Sequence, residues 1–259
     1  MPTQAVDRAL RILETIAESG RALSLSEVSA RTGLHVSTAH RLIATLRDRG
    51  FVEQVEGSGH YRIGPCAFRV GRSFLEGFSL GPHLRPVLAE LAADTRETAN
   101  LVIRYGLEAI YLDHVIGAQV AKLFTEVGQR VPLHCTAVGK VLLAYASDVR
   151  AVLPHLTLTR FTAQTITTPA ALERELAAVR ARGYAVDREE HEAGVACLAA
   201  PVLTDDGAIV AAVGISGPSG RVLPRAGKLG ERVRAAGEAA SRLLRGSTPD
   251  VSARGRRPR

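Results

Sequence analysis

The sequence predicts an α+β protein of two domains: a winged helix-turn-helix, then a linker helix, then a mixed α/β domain built on an antiparallel sheet. The first observation is a helix–turn–helix–hairpin pattern over residues 24–62. The second is a run of hairpin-joined strand patterns, with helices at intervals, after residue 82. The third is length, since 259 residues is long for a single domain. The predicted segments are a first domain over 1–64, a linker helix over 65–81, a second domain over 82–246 and a disordered basic tail over 247–259.

The first two helices are predicted from apolar spacing and from residues that begin or end helices. Apolar residues repeat at helical spacing over Gln4–Glu18, and they leave an exposed edge that a second subunit could cover. A second, short helix is predicted to begin at an N-cap, Ser26. It is predicted to end at Gly33, because glycine readily adopts the positive φ of a helix C-terminus.

The third helix, predicted over 36–49 and ended by Gly50, carries the strongest functional indication. One face is an apolar stripe of Val36, Ala39, Leu42, Ile43 and Leu46. The opposite face carries short polar and guanidinium groups, which suit base edges and phosphates. Strands over 51–53 and 61–63 then form a wing able to touch the DNA backbone. The candidate DNA-contacting residues are Arg31, His35, Ser37, Thr38, His40, Arg41, Thr45, Arg47 and Arg62.

Positive charge is concentrated near this helix. Four arginines lie between positions 31 and 49 beside a single acid, Asp48. The chain has a formal net charge of +7 and a pI near 9.8, which suits a polyanionic partner such as double-stranded DNA. Two alternatives stay open. A small trihelical unit with a hairpin also serves as a protein-interaction module, and the basic tail either adds phosphate affinity or only aids solubility.

Composition favours a soluble cytoplasmic protein. Hydrophobic residues make up 46% of the chain and charged residues 23%, enough apolar surface for a core. No signal peptide is visible and no apolar run reaches the roughly 18 residues of a membrane span, so no membrane partner is expected. The three cysteines, Cys66, Cys135 and Cys197, are widely spaced without a CxxC pair, which argues against a disulfide framework and against a zinc site.

The linker helix is predicted from apolar residues at helical spacing in residues 66–78, which hold three of the chain's six phenylalanines. We expect it to pack on a partner chain or on its own domain, because exposing it would be costly. In the second domain, helices are predicted over 83–97, 135–146, 169–183 and 224–244, and strands over 98–106, 108–117, 119–128, 184–190, 197–206 and 208–218. Residues 205–207 read Asp-Asp-Gly, a hairpin turn between the last two strands.

Three patterns partly resemble catalytic or metal-binding motifs, but each favours a structural role. The carboxylates of 187–192, with His191, lack the regular spacing of metal ligands. His134 and Cys135 are predicted to lie on a strand, where neighbours point to opposite faces and no thiol–imidazole hydrogen bond forms. Residues 214–218 read Gly-Ile-Ser-Gly-Pro, so Pro218 replaces the last glycine of a nucleophile elbow. We therefore expect no catalytic residue, no metal ligand and no cofactor.

Three separated segments, in the right order, resemble the IclR family of bacterial transcriptional regulators. They are AVDRALRILETIA with LSEVSARTGLHVSTAHRLIATLRDRGFVE in the first domain, VPLHCTAVGKVLLA at 131–144 and RGYAVDREEHEAGVACLAAPVLTDDGAIVAAVGISGP at 182–218. The resemblance spans about residues 4–245. It implies a GAF-like effector-binding second domain and a homodimer formed through the first domain and linker, often as a dimer of dimers. It also implies a ligand-responsive regulator that binds a pseudo-palindromic operator and senses a small organic acid, carboxylic or aromatic.

The resemblance further implies an effector pocket made of polar side chains, helix-start amides and apolar walls. The matching residues are Asp187, Cys197, Ser216, Ala137, Val138, Val120, Leu123, Val131 and Val195, with Gly214 in place of a family serine. That glycine is expected to remove one hydrogen-bond donor and to enlarge the cavity. The N–H groups that open a helix favour an anion, because they are unpaired and the helix dipole points at the ligand.

Two alternatives of a different class stay open: an enzyme, and a GAF-type ligand-binding module for signalling that does not touch DNA. A gel shift with upstream intergenic DNA, with and without candidate acids, separates them. DNA binding that responds to an acid supports the regulator, whereas turnover of the acid supports the enzyme.

Overall fold

The computed structural model describes residues 3–76, 80–119 and 125–244, and of residues 74–76 and 81–82 the backbone alone. The chain divides into two compact units, Met1–Gly77 and Phe78–Arg259. This division falls inside the segment 65–81 that was predicted as one linker helix. The predicted basic tail, 247–259, lies outside the described residues.

The first unit is three packed helices, a two-stranded wing and a fourth helix. Its elements are α1 (Gln4–Glu18), α2 (Leu25–Thr32), α3 (Val36–Asp48), β1 (Val52–Gln54), β2 (Tyr61–Ile63) and α4 (Pro65–Glu76). The three helices contact one another pairwise, and α3 also contacts β1. The winged helix-turn-helix predicted from the sequence is therefore confirmed.

The N-cap of α2 is Ser24, and the prediction of Ser26 was wrong. Ser24 Oγ accepts the Glu27 N–H at 3.2 Å, and the Glu27 carboxylate accepts the Ser24 N–H at 2.8 Å. This reciprocal capping box satisfies two otherwise unpaired donors at the helix start, an advantage that Ser26 does not have. Gly33 ends the helix with φ at 69°, as predicted.

The core of the first unit gathers one side of each helix and the wing. Ile12 and Ile16 from α1 meet Ile43 and Leu46 from α3, all buried. Val36 was predicted to belong to this apolar stripe, but it is 45% exposed. It is the first residue of α3, at the end of the helix that projects beyond the core.

The wing is a paired hairpin, whereas α4 leaves large apolar side chains exposed. β1 and β2 form the predicted wing, and they pair antiparallel with Glu53 opposite Arg62. On α4, Phe68 is 74% exposed and Val70 is 57% exposed in the single chain. Their apolar surface is therefore available to a partner.

The second unit is an antiparallel sheet with helices on both faces. Its elements are α5 (Leu80–Thr95), β3 (Thr98–Tyr105), β4 (Glu108–Val115), β5 (Arg130–Pro132), α6 (Ala137–Ala144), α7 (Val149–Val152), α8 (Pro169–Arg182), β6 (Ala185–Arg188), β7 (Val195–Leu203), β8 (Ile209–Pro218), α9 (Ser219–Val222) and α10 (Ala226–Leu244). In the described ranges the strand order is β5-β4-β3-β8-β7-β6. Each neighbouring pair is antiparallel, so the predicted sheet type is confirmed.

Two apolar layers sandwich this sheet. One is formed with α5 and α10, through residues such as Leu88 and Val233. The other is formed with α6 and α8, through residues such as Val141 and Leu172. The strand that was predicted over 119–128 is not found in residues 125–128, which form a turn before β5, and 120–124 lie outside the described residues.

Two predicted boundaries also shift. Gly81 and Pro82 lie within the first turn of α5 instead of marking a break, because proline is tolerated where a helix N–H has no intrahelical acceptor. The last helix begins at Ala226, after a 3₁₀ turn over Leu223–Arg225. Among the described residues, each helix is too short or too polar to cross a membrane.

Candidate nucleic-acid interface and ligand cavity

The exposed face of α3 presents a row of polar side chains. Ser37, Arg41 and Thr45 are four residues apart, so they share one side of the helix. His40 and Arg41 are exposed, whereas Thr38 is half-buried. The predicted DNA-reading face is thus on the surface of the unit, and its first turns are open.

The four predicted arginines fall into two groups. Across residues 3–76, 80–119 and 125–244, the side chains of Arg31 and Arg41 form no hydrogen bond or ion pair. Arg47 Nη1 instead donates to Gln54 Oε1 on β1 at 3.2 Å, and Arg62 Nε donates to Glu53 Oε1 at 2.5 Å. Arg62 must therefore give up its contact with the Glu53 carboxylate before it can contact a phosphate.

Two of the predicted contact residues also serve the helix itself. His35 is the N-cap of α3: its ring Nδ1 accepts the Ser37 N–H at 3.4 Å and lies 2.8 Å from Ser37 Oγ. Thr45 Oγ1 donates to the Arg41 carbonyl at 3.1 Å. The histidine ring therefore orients the Ser37 hydroxyl in the protein alone.

In the second unit a small cavity of about 30 Å³ lies among the sheet, the first turn of α6 and the turn after β6. By the volume that one buried water needs, this holds about two water molecules. Its lining combines polar and apolar side chains: Asn100, Tyr111, Thr125, Val131, Thr136, Ala137, Val138, Asp187, His191, Glu192, Val195, Cys197, Ile215 and Ser216.

The start of α6 supplies hydrogen-bond donors to this cavity. Thr136 caps the helix, and its Oγ1 accepts the Gly139 N–H at 3.1 Å. The N–H groups of Ala137 and Val138 precede the first intrahelical bond, so they have no acceptor within the helix. With the positive end of the helix dipole behind them, they favour a negatively charged atom in the cavity.

Asp187 contributes the cavity's buried carboxyl group. It is 2% exposed, and its Oδ1 accepts the Glu190 N–H at 2.7 Å. Burial raises the pKa of Asp187 to about 7, against the opposing effect of that Glu190 N–H. Asp187 is therefore able to carry a proton near neutral pH and to donate a hydrogen bond.

Ser216 is held by a network that leaves its own proton unused. Asn100 Nδ2 donates to Ser216 Oγ at 3.0 Å, and the Cys197 thiol donates to the same oxygen at 3.3 Å. Thr125 Oγ1 donates to Asn100 Oδ1 at 3.0 Å, which fixes the amide orientation. Because both lone pairs of Ser216 Oγ are occupied, its O–H is the group left to donate to a ligand. Burial raises the pKa of Cys197, so its thiol keeps its proton.

The structure brings most of the predicted pocket residues together. Those that line the cavity are Val131, Ala137, Val138, Asp187, Val195, Cys197 and Ser216. Val120 and Leu123 lie outside the described residues. Gly214 is not part of the lining, and a Cβ placed on it would lie 2.5 Å from the Leu198 carbonyl oxygen on β7. The glycine thus permits close approach of two strands and does not open space in the cavity.

Sequence reasoning missed several residues of the lining. Asn100 bonds to Ser216, 116 residues away, and Thr125 bonds to Asn100, 25 residues away, and no local pattern indicates either contact. His134 and Cys135 lie in a turn, not on the predicted strand. The His134 Nε2–H donates to the Thr159 carbonyl at 3.0 Å. Burial raises the pKa of the Cys135 thiol to about 12, so this pair offers no activated nucleophile at neutral pH.

Comparison with known proteins decides the family. Residues 5–56 match the IclR helix-turn-helix domain, and residues 73–242 match the family described as bacterial transcriptional regulator IclR C-terminal. The chain belongs to the IclR family of bacterial transcriptional regulators. The chain is 40% identical over 221 residues to the HTH-type transcriptional regulator BhcR of Paracoccus denitrificans, covering 85% of this chain and 79% of that relative.

Solved structures of the IclR family agree with this fold. The Thermotoga maritima IclR structure is 31% identical, with a TM-score of 0.79 over 92% of this chain and 98% of that one. An IclR homologue from Microbacterium hydrocarbonoxydans, complexed with 4-hydroxybenzoate, is 26% identical, with a TM-score of 0.81 over 94% of this chain and 100% of that one. The protein is accordingly a DNA-binding transcriptional regulator with a C-terminal effector domain, not an enzyme.

Proposed function

We propose that this regulator binds a pseudo-palindromic operator through α3 and changes its affinity for that operator when a small organic acid occupies the cavity of the second unit. The proposal that the ligand is an acid rests on one observation. Ser216, with its hydroxyl group, and Ala137 and Val138, at the start of α6, line one cavity together with Asp187. These groups give a carboxylate several donors, and Asp187 adds no buried anion when it is protonated; the other carboxylate of the lining, Glu192, is exposed.

The DNA contacts divide by their chemistry. Ser37, His40 and Arg41 lie in the first turns of α3, the part of a recognition helix that usually enters the major groove. Arg31, at the end of α2, and Arg62, on the wing, are suited to phosphates beside that groove. These assignments make α3 the source of sequence preference, and the flanking arginines the source of general affinity.

A homodimer accounts for the symmetry of the proposed operator. Val6 and Leu10 on α1 are 57% and 52% exposed, and Phe68 and Val70 on α4 are also exposed in the single chain. Surface of this kind is costly to leave in water, and a second copy would cover it. Two copies related by a two-fold axis present two α3 helices to two half-sites. A further pairing into a dimer of dimers is consistent with the family, and such a regulator acts on chromosomal DNA in the bacterial cytoplasm.

The cavity favours a compact acid. A carboxylate bonded to the α6 amides and Ser216 would repel an ionised Asp187, so Asp187 either carries a proton or bonds to a hydroxyl of the ligand. Because the cavity measures only about 30 Å³, its walls must move apart to admit an aromatic acid. An acid of a few heavy atoms requires the least movement. The related structure that contains 4-hydroxybenzoate shows that one homologue holds an acid with a hydroxyl group.

Fluorescence anisotropy with labelled DNA from upstream of the gene tests this proposal. The DNA is titrated with protein alone and with pyruvate, lactate or 4-hydroxybenzoate, and each acid is also assayed for turnover. We expect one acid to change the DNA affinity at least fivefold, within the usual range of coupling between sites, without being consumed. DNA binding unaffected by every acid, with no acid raising the melting temperature, would contradict acid sensing.

A further inference from the structure

A buried ion pair lies behind the cavity, one turn into α6. The Lys140 side chain is fully buried, and its Nζ donates to Glu190 Oε1 at 2.6 Å and to the Val186 carbonyl at 2.5 Å. The Glu175 carboxylate lies 3.6 Å away and is also paired with Arg182. A buried ammonium is costly without such partners, so these contacts fix Lys140 against the turn after β6.

Glu190 connects this lysine to the cavity. It is 5% exposed, and its Oε1 also accepts the Arg188 N–H at 3.3 Å. Its own N–H donates to Asp187 Oδ1 at 2.7 Å. Among the described residues, its Oε2 has no hydrogen-bond partner. A continuous series of contacts thus runs from Lys140 through the Glu190 side chain and backbone to the carboxyl of Asp187.

We propose that Lys140 and Glu190 form the positioning pair of the effector cavity, holding the Asp187 carboxyl in the cavity that the first turn of α6 also lines. This inference rests on the proposed function and extends it, because neither residue of the pair lines the cavity itself. Both act through Asp187, since Glu190 orients it by a backbone hydrogen bond and Lys140 holds Glu190.

The two members of the pair act on Asp187 with opposite sign. After burial, which is the main cause of the raised pKa of Asp187, the Glu190 carboxylate raises that pKa further and the Lys140 ammonium lowers it. The other titratable groups around Asp187 come from β4, β7, α8 and the turns before α6 and after β6: Tyr111, Cys197, Glu175, Cys135, His191 and Glu192. Burial raises the pKa values of Tyr111, Cys135 and Cys197, so these three stay neutral while Asp187 titrates.

Carboxyl-carbon NMR of the full chain labelled with ¹³C-aspartate measures this directly. The Asp187 signal is identified by its loss in Asp187→Asn, and its titration midpoint is compared among variants. We expect Glu190→Gln to lower the midpoint, and Lys140→Met to raise it, each by about one pH unit, the size usual for a nearby charge. Glu175→Gln, a carboxylate-to-amide change that touches Lys140 but not Asp187, is the matched control and should leave the midpoint in place.

A purely structural role predicts a different pattern. If the pair only stabilises the fold, the two variants move the midpoint in the same direction or not at all, and the proposal fails. If Lys140→Met does not fold, the double variant Lys140→Met/Glu190→Gln removes both charges, and because the two shifts oppose each other its midpoint should lie close to that of the wild type and above that of Glu190→Gln. The two variants could shift the midpoint in opposite directions while the wild type binds neither pyruvate nor 4-hydroxybenzoate by calorimetry. That result would uphold the positioning pair and refute the choice of acids. If the wild type binds an acid but neither variant moves the Asp187 midpoint, the positioning pair is refuted and the proposed acid sensing is not.

Discussion

Replacing Asp187 by asparagine tests whether this residue is a carboxyl group held neutral by its surroundings. The change removes the titratable proton but keeps the size of the side chain and an acceptor oxygen for the Glu190 N–H. Burial, opposed by that N–H, raises the pKa of Asp187 from 3.8 to about 7. Because the folded-state pKa is the higher one, the stabilisation is fully present below about pH 4 and is lost as pH rises through 7.

The size of the effect follows from this difference in pKa. A shift of about 3 units, at 1.36 kcal/mol per unit, corresponds to roughly 4 kcal/mol of unfolding free energy lost by the wild type between pH 4 and pH 8. This is an upper value, since the neighbouring charged groups relax. Asparagine does not ionise, so the variant should avoid this loss. The unfolding free energy of the variant minus that of the wild type should therefore be about 2–4 kcal/mol larger at pH 8 than at pH 4.

Urea unfolding of both proteins at pH 4, 6 and 8 measures this difference, and subtracting the two curves cancels the titration of all other groups. Glu173→Gln, on the exposed side of α8, is the control and should run parallel to the wild type. Parallel curves for Asp187→Asn would refute the argument that burial keeps this carboxyl protonated near neutral pH.

Three further predictions concern the DNA surface and the acid. Arg41→Ala should lower operator affinity by about 1–3 kcal/mol without changing the melting temperature; unchanged affinity in an anisotropy titration at fixed salt would exclude α3 as the reader. Glu53→Gln should release Arg62 from its ion pair and strengthen binding to operator and random DNA alike. The log–log salt slope should then steepen by up to about one unit, and an effect confined to the operator would contradict a phosphate role. Ser216→Ala should weaken acid binding by about 1.5–3 kcal/mol, measured by calorimetry, while DNA binding without acid stays normal. A full-strength acid response in that variant would remove Ser216 from the site.

The sequence predicted the fold where local patterns determine it. α1 has its predicted bounds, because helical spacing extends over its whole length. The antiparallel sheet was correct, because Asp-Asp-Gly and the neighbouring hairpins restrict how the strands connect. The cap of α2 was placed two residues too late, since Ser24 and Ser26 are both good N-caps and only Ser24 has Glu27 three residues on.

The cavity was predictable only in part. The predicted pocket residues came from resemblance to a family, and spacing alone did not reveal them. The contact of Asn100 with Ser216 joins residues 116 apart in sequence, and it follows from the pairing of β3 with β8. The burial of Lys140 was equally hidden, because a lysine in a helix is usually exposed and its partner Glu190 is 50 residues away.

The central claim is that an acid in the cavity regulates binding to DNA, and reciprocal calorimetry tests it most directly. The acid that raises the melting temperature is titrated into free protein and into the protein–operator complex under the same buffer and salt. Linkage requires that the two affinities differ by the factor by which the acid changes operator affinity. We expect that ratio to be at least fivefold and to match the anisotropy data. Equal affinities in the two titrations would mean that the acid binds without regulating, and would contradict the account.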